Sequence, residues 1–142
     1  MSVVGNGYEF FEHTADIGLR ASGATLPELF THAAQGFVEL VAEHSVLKPT
    51  ATRTVHLEAP SVEALLQAWL TELLVWFDAE RFLPCDYAFD LLTPTQLRAN
   101  VHGARFDPTR HTCGTEVKGI TRHQFRVEHA SGRWQAEIIF DV

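Results

Sequence analysis

The chain has 142 residues, of which 46% are hydrophobic, and its 18 acidic and 11 basic residues give a formal net charge of −7. This length suits one compact domain, and the composition is that of an ordinary globular protein rather than a disordered one. The acidic balance and the scattered lysines and arginines argue against a general nucleic-acid-binding protein, because phosphate contacts need clustered positive charge. We therefore expect one domain over residues 1–142, with residues 1–7 as a flexible tail and no direct nucleic-acid binding.

The cysteines and the apolar segments indicate a cytoplasmic location. Cys85 and Cys113 lie far apart and form no Cys-x-x-Cys pair, as is typical of unpaired thiols in a reducing compartment. The N-terminus lacks the basic start and apolar run of a signal peptide. The longest apolar stretch, residues 62–77, is interrupted by Glu63 and Glu72, so we expect no membrane span.

The first half of the chain predicts strands and two helices in alternation. Residues 8–12 and 17–21 have the apolar alternation of strands and flank a turn or loop at 13–16. A helix over about 26–43 follows, because Thr25 and Glu28 form a capping box before apolar residues at helical spacing. Residues 52–58 alternate like a strand. Ser61 then caps a second helix that runs to about residue 80 with a wide apolar face.

The second half predicts only strands. Two hairpins are expected, one pairing 85–92 with 96–103 and the other pairing 124–129 with 134–142, and a separate strand is expected over 116–121. The order predicts an α+β fold in which two helices pack on one face of a mixed, mostly antiparallel sheet.

Several polar residues admit both a structural and a functional interpretation. Asp16 could simply bind backbone N–H groups in a turn. Asp141 adds a carboxylate next to that of the last residue, Val142, and such oxygen groups suit calcium, magnesium or manganese; the alternative is a frayed, solvated tail. Lys118 and His123 would ordinarily face water on a strand, unless they lie at the same end of the sheet as Asp16.

The familiar catalytic and cofactor motifs are missing from the sequence. The eight histidines form neither His-x-x-x-His nor His-Glu-x-x-His, which argues against a structural zinc site. The glycine-rich motifs of nucleotide-binding loops and the Gly-x-Ser-x-Gly nucleophile motif are also absent.

Three segments together resemble the archease family. They are Phe11-Glu12-His13-Thr14-Ala15-Asp16-Ile17-Gly18, Glu116-Val117-Lys118-Gly119-Ile120-Thr121-Arg122-His123 and Ile138-Ile139-Phe140-Asp141-Val142. The resemblance extends from about Tyr8 to Val142, and a helix with Trp69, Leu73 and Asp78 agrees with it. One departure is Gly119, where the family often has alanine.

The resemblance implies an accessory protein rather than an enzyme. Archeases are described as metal-binding cofactor proteins of RtcB-type RNA ligases, which they assist in guanylylation and turnover during tRNA splicing or RNA repair. Carried over to this sequence, the ligands of a divalent cation (calcium, or magnesium or manganese) would be Asp16, Asp141 and the carboxylate of Val142. His13, Lys118 and His123 would support these ligands or contact the partner.

Two other functions remain open at this point. One is a stand-alone metal-dependent phosphoesterase, in which Asp16 and Asp141 hold the metal and His13 or His123 acts as a base. The other is a chaperone-like adaptor, which would need an exposed apolar patch.

Overall fold

The computed structural model describes residues 7–13 and 16–142, with the side chains of Glu12 and His13 excepted. The elements in chain order are β1 (Tyr8–His13), β2 (Asp16–Gly23), α1 (Leu26–Val41), β3 (Ala51–Glu58), α2 (Val62–Glu80), β4 (Phe82–Leu92), β5 (Gln96–Arg105), β6 (Gly119–Ala130) and β7 (Arg133–Asp141). Residues 1–6 of the expected tail lie outside the described part. Gly7 is described, and its carbonyl accepts a 2.9 Å hydrogen bond from the Ser22 N–H.

The strands divide between two sheets, with β1-β2-β7-β6 in one and β3-β5-β4 in the other. We call them the four-stranded and the three-stranded sheet. All pairings among the described strands are antiparallel. The expected α+β class is confirmed, but the strands form two antiparallel sheets where one mixed sheet was expected. Both helices contact strands of both sheets, so each sheet covers a different side of the helical layer.

The helix boundaries follow the capping signals in the sequence. The Thr25 side chain accepts the Glu28 N–H at 3.2 Å, and the Glu28 carboxylate accepts the Ala24 N–H at 2.7 Å, which completes the capping box of α1. The Ser61 hydroxyl accepts the Ala64 N–H at the start of α2. Neither helix is long and apolar enough to cross a membrane, within the part of the chain that the structure describes.

Helix α2 explains why two sheets are needed. Its buried residues cover about half of its circumference, which is more than one sheet can bury; they are Leu65, Leu66, Trp69, Leu70, Leu73, Leu74, Trp76 and Phe77. Trp69 is fully buried, and its indole N–H donates to the Phe30 carbonyl of α1 at 3.0 Å. Its ring lies 6.1 Å from the Tyr87 ring and 5.6 Å from the Phe89 ring of β4. One tryptophan thus joins both helices to the three-stranded sheet.

The two predicted hairpins are present, but the predicted strand over 116–121 is not a separate element. Residues 119–130 form one strand, β6, whose register with β7 shifts between Thr121 and Arg126. Gln124, inside this interval, has a left-handed φ of 58°. This bulge interrupts the alternation of apolar and polar residues, which is why the sequence predicted two strands, over 116–121 and 124–129, where the structure has one. Glu116 and Lys118 precede β6 in an irregular segment.

Candidate cation site at one end of the four-stranded sheet

Three strand ends meet at one end of the four-stranded sheet. β2 begins at Asp16, β7 ends at Asp141, and β6 begins at Gly119. Asp141 is the register partner of Asp16 on one side and of Gly119 on the other. Two carboxylates that are distant in sequence therefore lie on adjacent strands at directly opposite positions. We call Asp16, Asp141 and the carboxylate of Val142 the acidic tip.

The register has an electrostatic consequence at the acidic tip. Residues directly opposite on antiparallel strands project to the same face of the sheet, with Cβ atoms about 4.5–5.5 Å apart. Asp16 and Asp141 are such a pair, and like charges in this arrangement destabilise the strand pairing. A positive charge near the two carboxylates reduces this repulsion.

The last residue is packed rather than frayed. Val142 is half-buried against the hydrophobic core, and the carbonyl of Asp141 accepts a 2.7 Å hydrogen bond from the Lys118 N–H. The end of β7 is thus held by the irregular segment that precedes β6. This packing argues against a solvated tail as the explanation of the Asp141-Val142 terminus.

The oxygen chemistry of the acidic tip fits a hard cation. Carboxylates are the ligands that calcium, magnesium and manganese prefer. Among the described residues, no group of three or more His, Cys, Asp or Glu side chains is arranged to hold a metal ion. A cation bound by Asp16 and Asp141 would therefore need further oxygen from the main chain, for which the carboxylate of Val142 is the candidate.

The supporting residues named from the sequence lie on different segments around this pair. The backbone of His13 pairs with Asp16 at the end of β1, but its side chain lies outside the described residues. Lys118 directly precedes Gly119, the register partner of Asp141, and its side chain is exposed. His123 lies within the β6 bulge, between the register pairs of Thr121 and Arg126 with β7. The register therefore places Lys118 beside the acidic tip.

The surroundings of the acidic tip are also negative. A cavity of about 680 Å³ beside it is bordered by Asp16, Glu39, Glu43 and His44. The C-terminal end of α1 reaches this cavity, and the last turn of the helix contains no basic residue. Since the carbonyl end of a helix carries partial negative charge, the helix adds to the negative potential of the carboxylates. Such a potential attracts cations and basic protein surfaces.

Phe11, Gly18 and Arg20 form a supporting layer that the sequence analysis did not single out. Phe11 and Gly18 are register partners, and a Cβ atom at position 18 would overlap the Phe11 ring. The Arg20 guanidinium lies 4.2 Å from the centre of that ring and donates to a Glu137 carboxylate oxygen at 2.8 Å. This layer holds β1, β2 and β7 together beside the acidic tip. Gly18 was the sequence signal for this layer, because a glycine inside a strand often marks a place where another group packs closely against the backbone.

The fold and the site define a class of small α+β proteins in which two helices lie between two antiparallel sheets and two aspartates face each other at a sheet end. Residues 8–142 match the model of the Archease protein family (MTH1598/TM1083). The chain therefore belongs to the archease family.

Relatives of nearly equal length support this assignment. The archeases of Sulfurisphaera tokodaii and Thermococcus gammatolerans are 34% and 36% identical, and each alignment covers 95% of this chain and 98% of the relative. The solution structure of Methanobacterium thermoautotrophicum protein 1598 is 30% identical, with a TM-score of 0.80 over 96% of this chain and 99% of the other. An archease from Thermotoga maritima, described as a possible chaperone, shares the fold at 21% identity, with a TM-score of 0.68 over 93% and 94% of the two chains.

Proposed function

We propose that this protein is a cytoplasmic, metal-binding activator of an RtcB-type RNA ligase and that it promotes guanylylation and turnover of the ligase in tRNA splicing or RNA repair. In this proposal the protein catalyses no reaction alone. The observation that carries the proposal is the direct opposition of Asp16 and Asp141 on adjacent strands. Two carboxylates that project together from adjacent strands are the kind of oxygen pair that a hard cation prefers.

The chemistry of the ligase reaction suits such a tip. Nucleotidyl transfer depends on positioning and on stabilising negative charge at phosphate oxygens, and a bound divalent cation supplies that stabilisation. The two aspartates and the Val142 carboxylate would hold the cation, and the packing of Val142 against the core would fix their positions. A calcium, magnesium or manganese ion is compatible with these oxygen groups.

Lys118, His13 and His123 have lesser roles in this proposal. The Lys118 backbone already holds Asp141 by a hydrogen bond, and its exposed side chain is available to a phosphate or carboxylate of the ligase. His13 is the last residue of β1 and the register partner of Asp16, and it would orient Asp16 or contact the ligase. His123 lies in the β6 bulge, and it would support the cation ligands or contact the ligase.

Single-turnover guanylylation of the cognate ligase tests the proposal. We expect Asp16→Asn and Asp141→Asn each to remove the stimulation by the activator, while Asp90→Asn, an exposed aspartate on β4 in the other sheet, leaves it unchanged. Circular dichroism of the two tip variants should match that of the wild type, so that a loss of stimulation is not a loss of fold. Full stimulation by both tip variants would refute the proposal.

Calorimetry with calcium, magnesium or manganese alone tests the cation site separately. Binding should be lost in both tip variants and weakened when one residue is added after Val142, because the addition moves the terminal carboxylate. Metal-dependent phosphoester turnover by the purified protein without ligase would instead indicate a hydrolase.

A further inference from the structure

A second cleft, of about 700 Å³, lies between the segment after α1 and the turn after β5. We call it the basic cleft, because Lys48, Arg105, Arg110 and His111 border it together with one carboxylate, Asp107. Three permanent cations and one anion give this surface a net positive charge in a protein whose overall charge is −7. The cations come from two separate stretches of sequence, with Lys48 in one and Arg105 and Arg110 in the other.

The cations of the basic cleft lack the close ion pair that Arg20 has. Within the described part of the chain, neither Lys48 nor Arg105 forms an ion pair. Arg110 only approaches Asp107, with 3.9 Å between its Nε atom and the carboxylate oxygen. Arg20, by contrast, has a 2.8 Å contact with Glu137. The positive charge of the cleft is therefore available to an external anion.

The one carboxylate of the cleft is already engaged in the turn. An Asp107 carboxylate oxygen accepts the Thr109 N–H at 2.9 Å and the Thr109 hydroxyl at 2.7 Å. These hydrogen bonds lower the pKa of the Asp107 carboxyl, with a smaller contribution from Arg110. The Asp107 carbonyl also accepts the N–H groups of Arg110 and His111 at 2.9 and 2.7 Å. These hydrogen bonds within the turn fix the backbone positions of Arg110 and His111.

His111 adds a directed donor to the basic cleft. Its Nδ1 atom accepts the N–H of Asp107 at 2.9 Å, so the proton of the neutral ring is on Nε2. The ring also packs against Phe106, with 5.7 Å between ring centres. These two contacts fix the ring and leave the Nε2–H available to a ligand.

The cleft has apolar walls as well. Val46 is 82% exposed, and Phe106 and Pro108 line the same space. A volume of about 700 Å³ lies within the range of small-molecule sites and is far larger than a single anion needs. The ligand should therefore combine negative charge with a flat or apolar group.

We propose that the basic cleft binds a nucleoside phosphate, with Lys48, Arg105 and the His111 Nε2–H on the phosphate and with Val46 and Pro108 beside the base. The same chemistry is offered by a free nucleotide and by the phosphorylated end of an RNA strand. This site is separate from the acidic tip and does not depend on the proposed function. The segment between them is tied to α1 by hydrogen bonds from the Gly114 and Thr115 N–H groups to the Val41 and Leu40 carbonyls.

Amide chemical-shift titrations of the full chain, without ligase, test this proposal. Adenosine 5′-monophosphate should shift the amides of residues 105–107 and 109–111 and bind more tightly than adenosine or inorganic phosphate. Lys48→Ala and Arg105→Ala should each weaken binding about tenfold, as expected for the loss of one charge-assisted contact. Arg98→Ala is the matched control, because Arg98 is exposed on the same strand as Arg105 but outside the cleft.

A short RNA with a 5′-phosphate, compared with its 5′-hydroxyl form, distinguishes the two sources of the ligand. Tighter binding of the phosphorylated RNA than of the free nucleotide identifies an RNA end, and the reverse order identifies a free nucleotide. The proposal is refuted if no nucleotide or phosphorylated RNA binds, if Lys48→Ala and Arg105→Ala bind as well as wild type, or if inorganic phosphate binds as tightly as the nucleotide.

Discussion

Tyr87 shows how a single buried polar group affects stability. Its ring packs against Trp69, and its hydroxyl is buried without a hydrogen-bond partner among the described residues. Burial raises the pKa of Tyr87 well above the ordinary value of 10.0, and the charges of Cys85 and Asp86 act in the same direction. The folded protein therefore strongly favours the neutral hydroxyl but gives it no partner, which is an unfavourable state for a polar group.

We predict that Tyr87→Phe raises the free energy of unfolding by about 1 kcal/mol at neutral pH, because it removes a buried hydroxyl that makes no hydrogen bond. The variant should also lose part of the alkaline sensitivity of the wild type. A raised folded-state pKa makes the Tyr87 contribution constant below pH 10.0 and makes stability fall as the pH rises above that value. Urea denaturation at pH 7 and at pH 10.5 measures both effects. A less stable variant at pH 7 would mean that the hydroxyl has a bound partner such as water.

At the scale of elements, the β1–β2 hairpin depends on Gly18. The Phe11 ring occupies the space that a side chain at position 18 would need, and Arg20 packs over the same ring. Asp16 and His13 are the register pair at the turn end of this hairpin, so its packing also sets the position of one carboxylate of the acidic tip.

We predict that Gly18→Ala lowers the free energy of unfolding by about 1–3 kcal/mol, because the added methyl group displaces the Phe11 ring. Gly119→Ala is the control, since no atom lies within 4 Å of a Cβ at that position. Urea denaturation of both variants compares a crowded with an open glycine in the same sheet. Equal stability of the two variants would show that Phe11 can move without cost.

At the scale of the whole molecule, the two sheets share one core. Phe37 of α1 contacts Phe140 of the four-stranded sheet, with ring centres 6.2 Å apart, while Trp69 of α2 contacts β4 of the three-stranded sheet. The Trp69 indole bond to Phe30 joins the two helices. Neither sheet can therefore lose its packing without exposing the helices that cover the other.

We predict a single cooperative unfolding transition for the whole chain. Tryptophan fluorescence is dominated by the helical layer, through Trp69 and Trp76, whereas far-ultraviolet circular dichroism reports on all elements. The two signals should give the same urea midpoint. Midpoints that differ by more than the error of the fit would mean that the sheets unfold separately.

The sequence alone determined the local elements, because their signals lie within a few residues of each other. Thr25 and Ser61 marked the helix starts. Residues 131 and 132, which adopt left-handed φ values, marked the last hairpin turn. The resemblance of three short segments indicated the family. Only this resemblance assigned Asp16 and Asp141 to a common cation site, since the local sequence by itself favoured a structural role for Asp16 in a turn.

Only the tertiary structure decided the division into two sheets, the register that sets Asp16 opposite Asp141, and the collection of Lys48, Arg105 and Arg110 around one cleft. Lys48 is distant in sequence from Arg105 and Arg110 and becomes their neighbour only in the folded chain. These contacts join residues far apart along the chain, and they depend on which faces the helices must bury. The periodicity of a single segment contains no information about its distant partners.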